Sequence, residues 1–216
     1  MRVEPIHYIW WLVSRSAGVV ALGMVSVSVL IGLAMATRIV SSPSLRRRLP
    51  RLHEHVALVA LSAIALHGLS LLGDSWLHAG WRGLLIPFDL HYRPLYTGLG
   101  IIAGYLAALL GPSFYLRRRI GTALWRRLHR ATVAVWILGV VHTLGAGTDG
   151  AALWMRAVLL LTGAPIVFLV LLRVLGYGRS AGSTQPARSI TSSSTDARSR
   201  SAADPVLSAS APRASS

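Results

Sequence analysis

Long apolar runs alternate with short polar ones along this chain, and the apolar runs are similar in length. Five stand out, at roughly 9–35, 56–73, 95–116, 131–146 and 153–175. Each is near the ~20 residues that an α-helix needs to cross the hydrocarbon core of a bilayer. The fourth reaches that length only if it begins near Leu124, which brings Arg126, Arg127, His129 and Arg130 into its first turns. Ala34-Met35-Ala36 has the small-residue pattern of a signal-peptidase site. The apolar stretch before it is much longer than a ~7–15-residue signal core, so it reads as a retained span. The pattern predicts an all-α integral membrane protein, a multi-pass bundle of five transmembrane helices in the cell membrane.

Charge in the connections predicts the orientation. The connection 38–52 carries Arg38, Arg46, Arg47, Arg48 and Arg51, and 117–130 carries Arg117, Arg118, Arg119, Arg126, Arg127 and Arg130. By contrast, 74–94 sets Arg82 and Arg93 against Asp74 and Asp89, and 147–152 holds Asp149 alone. Cytoplasmic loops carry the excess of basic residues, so the N-terminus is expected outside and the C-terminus in the cytoplasm. The second and fourth spans then run in the same direction. After Tyr177 the composition turns to Ser, Ala, Pro and Arg. The expected division is a membrane domain over 1–178 and a disordered Ser/Ala/Arg-rich cytoplasmic tail over 179–216, held near anionic headgroups.

Composition fits this class. Hydrophobic residues make up 53% of the 216 and charged ones only 13%, about half the share in an ordinary soluble domain. The formal net charge of +15 comes from 22 basic residues, all of them arginine. Their placement between apolar runs argues for a membrane face and against nucleic-acid binding. With no cysteine, disulfides, iron–sulfur clusters and thiol chemistry are excluded. There is also no dinucleotide-binding glycine fingerprint and no P-loop.

The candidate chemistry lies in the histidines. LHEHVALVALSAIALHG carries His53 and His67, 14 residues apart, and WRRLHRATVAVWILGVVHTLGAGTDG carries His129 and His142, 13 apart. Each pair is separated by ~20 Å along a helix axis. Because the two spans are parallel, His53 shares a level with His129, and His67 shares one with His142. A porphyrin iron that only transfers electrons takes two opposed imidazoles of this kind. Fourteen steps bring His67 back to within ~40° of His53, whereas thirteen leave His142 ~140° from His129 on an ideal helix. The fourth span must therefore be overwound or bent, or its two ligands face different sides. His55 lies ~120° from His67, so His53 is the preferred partner on that helix.

These stretches, together with IPFDLHYRPLYTGLGIIAGYL, resemble the ferric-reductase-like transmembrane family. That family includes the membrane domains of ferric reductases and NADPH oxidases and the heme-binding subunit of periplasmic methionine-sulfoxide reductase. The resemblance covers roughly 8–176. It implies two b-type hemes, with His53 and His129 as metal ligands of the inner one and His67 and His142 as those of the outer one. It also implies an oxidoreductase or electron-transfer subunit without a flavin and nicotinamide module of its own. Electrons would then come from a separate flavoprotein, a quinol or a bound flavin. They would leave to an external acceptor: ferric iron, oxygen or a partner redox protein.

Arg15 lies inside the first span, where a guanidinium must reach the headgroups or find an anionic partner. Heme propionates at the outer level are one such partner, which makes Arg15 a candidate cofactor-binding residue. Arg93 and Arg156 are weaker candidates of that kind, and Arg51, Arg126 and Arg130 are candidates for the inner propionates. His7, His78 and His91 either meet a metal substrate or are plain surface histidines. The competing readings are a non-redox scaffold or transporter with structural histidines, and a single-heme subunit of a multi-protein reductase.

Overall fold

The computed structural model describes residues 5–37 and 39–180, and all regular structure among them is helical. The order is α1 (Pro5–Thr37), α2 (Pro43–Ser70), a single 3-10 turn (Leu71–Gly73), α3 (Gly80–Leu85), α4 (Pro94–Leu110), α5 (Ser113–Ile120), α6 (Thr122–His129), α7 (Thr132–Ala146) and α8 (Leu153–Ser180). The expected tail lies, from residue 181 onward, outside the described residues. So does the side chain of His7.

Prolines set several boundaries. α2 begins at Pro43, well before the apolar run that predicts it, after an extended Ser42 at φ −64° and ψ 121°. Proline at the first helical position loses no intrahelical bond, because that N–H has no partner anyway. α4 likewise begins at Pro94, after a left-handed Arg93 at φ 44°. The expected third span, 95–116, is not one straight helix: α4 ends at Leu110 and α5 departs at 55°. Pro112 explains the break, since it has no N–H to donate and its ring crowds the preceding turn.

Four helical stretches are long and apolar enough to cross a membrane: Tyr8–Thr37, Pro43–Gly73, Thr122–Ala146 and Leu153–Gly176. A fifth is added if the bent α4–α5 pair counts as one span. The chain is a multi-pass membrane protein. The Thr122–Ala146 span joins α6 to α7 through a tightened turn. There Ala131 N–H donates to Leu128, Val133 to Arg130 and Ala134 to Ala131, at 2.8, 3.4 and 2.9 Å. Each of these bonds reaches back three residues instead of four, which is the overwound 3-10 pattern.

α1 packs along α2 and also touches α7 and α8, while α4 packs on α7. Small residues permit these approaches: Ala17 and Ala21 of α1, Ala60 and Ala63 of α2, and Ala103 and Ala107 of α4 are buried, as is usual between membrane helices. One core cluster joins Val29 and Leu33 of α1 to Trp136 of α7 and Ile166 of α8. Its polar atoms are satisfied internally: Trp136 Nε1 donates to Ser26 Oγ at 3.0 Å, and that hydroxyl donates to the Leu22 carbonyl at 2.8 Å. Leu109, Leu160 and Leu161 stay more than two-thirds exposed, which suits side chains that meet lipid.

Candidate functional site

Nearly four helical turns separate His53 from His67, so both project from one face of α2 toward the α6–α7 rod. At one end the rings of His53 and His129 have centroids 6.0 Å apart and planes at 85°. At the other, His67 and His142 also lie 6.0 Å apart, with planes at 74°. The tightened turn between His129 and His142 supplies extra rotation, and both rings meet α2 despite their 13-residue spacing.

Hydrogen bonds orient the rings. His67 Nδ1–H donates to the Ser14 carbonyl at 2.8 Å, with Ser14 Oγ a further 3.2 Å neighbour. His142 Nδ1–H donates to the Tyr96 carbonyl at 2.9 Å. His53 Nδ1 lies 3.3 Å from Ser28 Oγ. An imidazole that gives its Nδ1–H to a neighbour keeps a lone pair on Nε2, ready for a metal. His129 differs: its buried Nδ1 has no partner, and the ring instead stacks on Trp125 with centroids 5.0 Å apart and planes at 25°.

Glycines give the rings their room. A Cβ on Gly18 would stand 3.0 Å from His67 Nδ1, and one on Gly32 would stand 3.5 Å from His53 Cε1. On Gly100 it would overlap Nδ1 of His142. Ser14 and Gly18 thus attend His67, and Ser28 and Gly32 attend His53, so α1 repeats one Ser-x-x-x-Gly pattern at the 14-residue interval of the histidines. That repeat was a legible signal, although attention to the histidines alone passes over it. Trp125 stands four residues before His129 on α6, a spacing that places two side chains on one helix face.

A cavity of about 590 Å³ surrounds His67 and His142, and another of about 880 Å³ surrounds His53 and His129. Cofactor sites typically measure about 300–1,000 Å³. Two neutral imidazoles are a thin donor set for a bare ion. No group of three or more His, Cys, Asp or Glu side chains able to hold a metal ion occurs among the described residues. A tetrapyrrole brings four equatorial nitrogens and asks the protein for two axial ones. A metal about 2.0 Å from one nitrogen of each ring sets the two centroids roughly 6 Å apart. Both pairs accommodate such a group.

The remaining candidates separate. His55 is exposed and bonds the Arg51 carbonyl of its own helix at 2.7 Å. His78 and His91 are exposed on the 74–93 connection. Arg15 has a protein partner: its Nε and Nη2 donate to the two carboxylate oxygens of Asp149 at 2.7 and 2.5 Å. Both residues line the His67–His142 cavity, so the pair stands at the wall of that site. Arg93 donates to the Gly145 carbonyl. Arg126 and Arg130 line the His53–His129 cavity, joined by Arg127 and Arg173, whereas Arg51 does not.

Fold and site together define a helical membrane protein with two stacked histidine pairs between parallel rods. Among known proteins, the chain is similar to the protein-methionine-sulfoxide reductase heme-binding subunit MsrQ of Azospira oryzae, with 35% identity over 120 residues. The match covers 55% of this chain and 47% of that protein, so the chain spans about half the length of the curated relative it matches. No family model matches the chain. No solved structure matches it either.

Proposed function

We propose that the chain is a membrane cytochrome subunit that carries electrons across the bilayer through two b-type hemes. His53 and His129 are the axial ligands of one and His67 and His142 those of the other. The observation that carries this reading is the pairing of imidazoles at two levels, each pair at the same 6.0 Å separation. The name of the similar protein, a heme-binding subunit, supports it. The heme iron supplies a one-electron couple, and the protein holds, spaces and insulates it. Backbone carbonyls of Ser14 and Tyr96 fix the His67 and His142 rings, and the glycines of α1 and α4 let helices close over them. Held by two histidines each, the irons would keep no open position for a substrate, and the group would supply electron transfer alone.

The arginine-rich connections favour an orientation with the His53–His129 pair on the cytoplasmic side. The donor is then a separate flavoprotein or a quinol, and the acceptor is ferric iron, oxygen or a partner reductase at the opposite face. Heme quantitation tests the core of this reading. Purified full-length protein from heme-replete cells should contain two hemes per chain, and His53→Ala or His67→Ala should each remove one. A colourless preparation, or variants that keep the wild-type heme content, would refute it.

A further inference from the structure

The two histidine pairs, taken as heme ligands on the reading above, sit in unlike electrostatic settings. Arg126, Arg127, Arg130 and Arg173 line the His53–His129 cavity, with no carboxylate among its described lining residues. The His67–His142 cavity has Arg15 against Asp74 and Asp149, and Arg15 is neutralised by its two bonds to Asp149. Nearby positive charge favours the ferrous state, which carries one positive charge fewer than the ferric; the four arginines are exposed, so solvent and salt screen part of that effect. Propionates bring the same negative charge to each end and leave the contrast standing.

Hydrogen bonding points the same way independently. An Nδ1–H···O=C bond makes imidazole a stronger electron donor and so favours ferric iron. Both rings of the His67–His142 pair make that bond, at 2.8 and 2.9 Å. In the other pair His53 has the Ser28 hydroxyl at 3.3 Å and the Ser28 carbonyl beyond ordinary hydrogen-bond geometry, and His129 has no partner at all. Burial works the other way, since His67 and His142 are the more deeply surrounded pair, so the charges and hydrogen bonds must outweigh it.

We infer that the residues around His53 and His129 make that end the resting place of the electron, with the higher midpoint potential of the two. The step between the ends is a single electron transfer. Bound hemes would balance it, one iron oxidised as the other is reduced, with no proton moved and no bond changed. Electrons therefore collect beside the arginines until an acceptor draws them away.

Optical redox titration of the full-length protein tests this. Two transitions are expected, at least tenfold apart in equilibrium constant, which is 59 mV for one electron. His129→Met identifies its own transition, because a thioether ligand raises the potential. If that variant loses its heme, the transition that survives belongs to the other pair. The His129 transition should be the upper one in the wild type. Arg126→Gln combined with Arg130→Gln should lower it and leave the other in place. A reversed order, or arginine variants with unchanged midpoints, would overturn the inference while leaving two bound hemes intact. A preparation with no heme, or with one, would instead remove the two-heme reading beneath it.

Discussion

At His67 and His142 both rings are fastened to backbone carbonyls, and both touch glycines that bring a neighbouring helix close. At His53 and His129 the support comes mainly from side chains: a serine hydroxyl, a stacked tryptophan and arginines at the cavity wall, with the Ser28 carbonyl a weaker contact of His53. The ring separation is the same at both ends, so the spacing of a histidine pair does not dictate how it is supported. A carbonyl cannot be removed by mutating its own side chain. The first pair should therefore tolerate truncations around it and resist added bulk poorly, while the second should show the opposite sensitivities.

The largest expected effect comes from bulk at the backbone-fastened pair. In Gly100→Ala the new Cβ would overlap the imidazole of His142, and that ring cannot retreat without giving up its bond to the Tyr96 carbonyl. Overpacking of this kind costs about 1–3 kcal/mol, and here the strain falls on a proposed heme ligand. Heme content should drop from two per chain to one. Gly32→Ala is the matched control at the other end. Its Cβ would lie 3.5 Å from His53, an ordinary contact, so both hemes should remain. Equal heme content in the two variants would dissolve the contrast between the ends.

A smaller effect is expected at the side-chain-supported pair. Trp125→Ala removes the stacked surface beneath His129, whose Nδ1 has no hydrogen bond to hold the ring in its place. Loss of an outer-shell support typically weakens metal binding about 10–100-fold. Transfer of heme to an excess of acceptor globin should become biphasic, with one heme leaving faster by a factor in that range. A single unchanged phase would show that the stack supports nothing.

Much of this arrangement was written in the apolar pattern and the histidine spacing. The long helices and the shared levels of the two pairs follow from residue counts, because a helix rises and turns by fixed steps. Other features were not accessible that way. The bend after Leu110 depends on one proline inside an otherwise apolar run. The register of His129 against His142 depends on a tightened turn at Arg130 and Ala131, which no ideal-helix angle foresees. Asp149 was visible as the sole charge of its connection, yet its pairing with Arg15 joins positions 134 residues apart and requires the tertiary structure. The carbonyls of Ser14 and Tyr96 carry no residue-type signal, because every residue has one.

The smallest predicted effect is also the sharpest probe of the difference between the ends. Ser14 Oγ lies 3.2 Å from His67 Nδ1 and donates to the His67 carbonyl at 3.2 Å, whereas the Ser14 carbonyl accepts the ring's Nδ1–H at 2.8 Å. Ser14→Ala deletes the hydroxyl and spares the shorter bond. A single neutral hydrogen bond contributes about 0.5–1.5 kcal/mol net, and the longer geometry here places Ser14 near the lower bound. Ser28→Ala removes the hydroxyl beside His53 Nδ1 and leaves only a Ser28 carbonyl contact of poorer geometry than the 2.8 Å bond that holds His67. Heme release should therefore quicken more in Ser28→Ala than in Ser14→Ala, although both serines occupy equivalent places in the α1 repeat. If Ser14→Ala proved the more damaging, the hydroxyl and not the backbone would be what secures His67, and the two ends would share one principle of support.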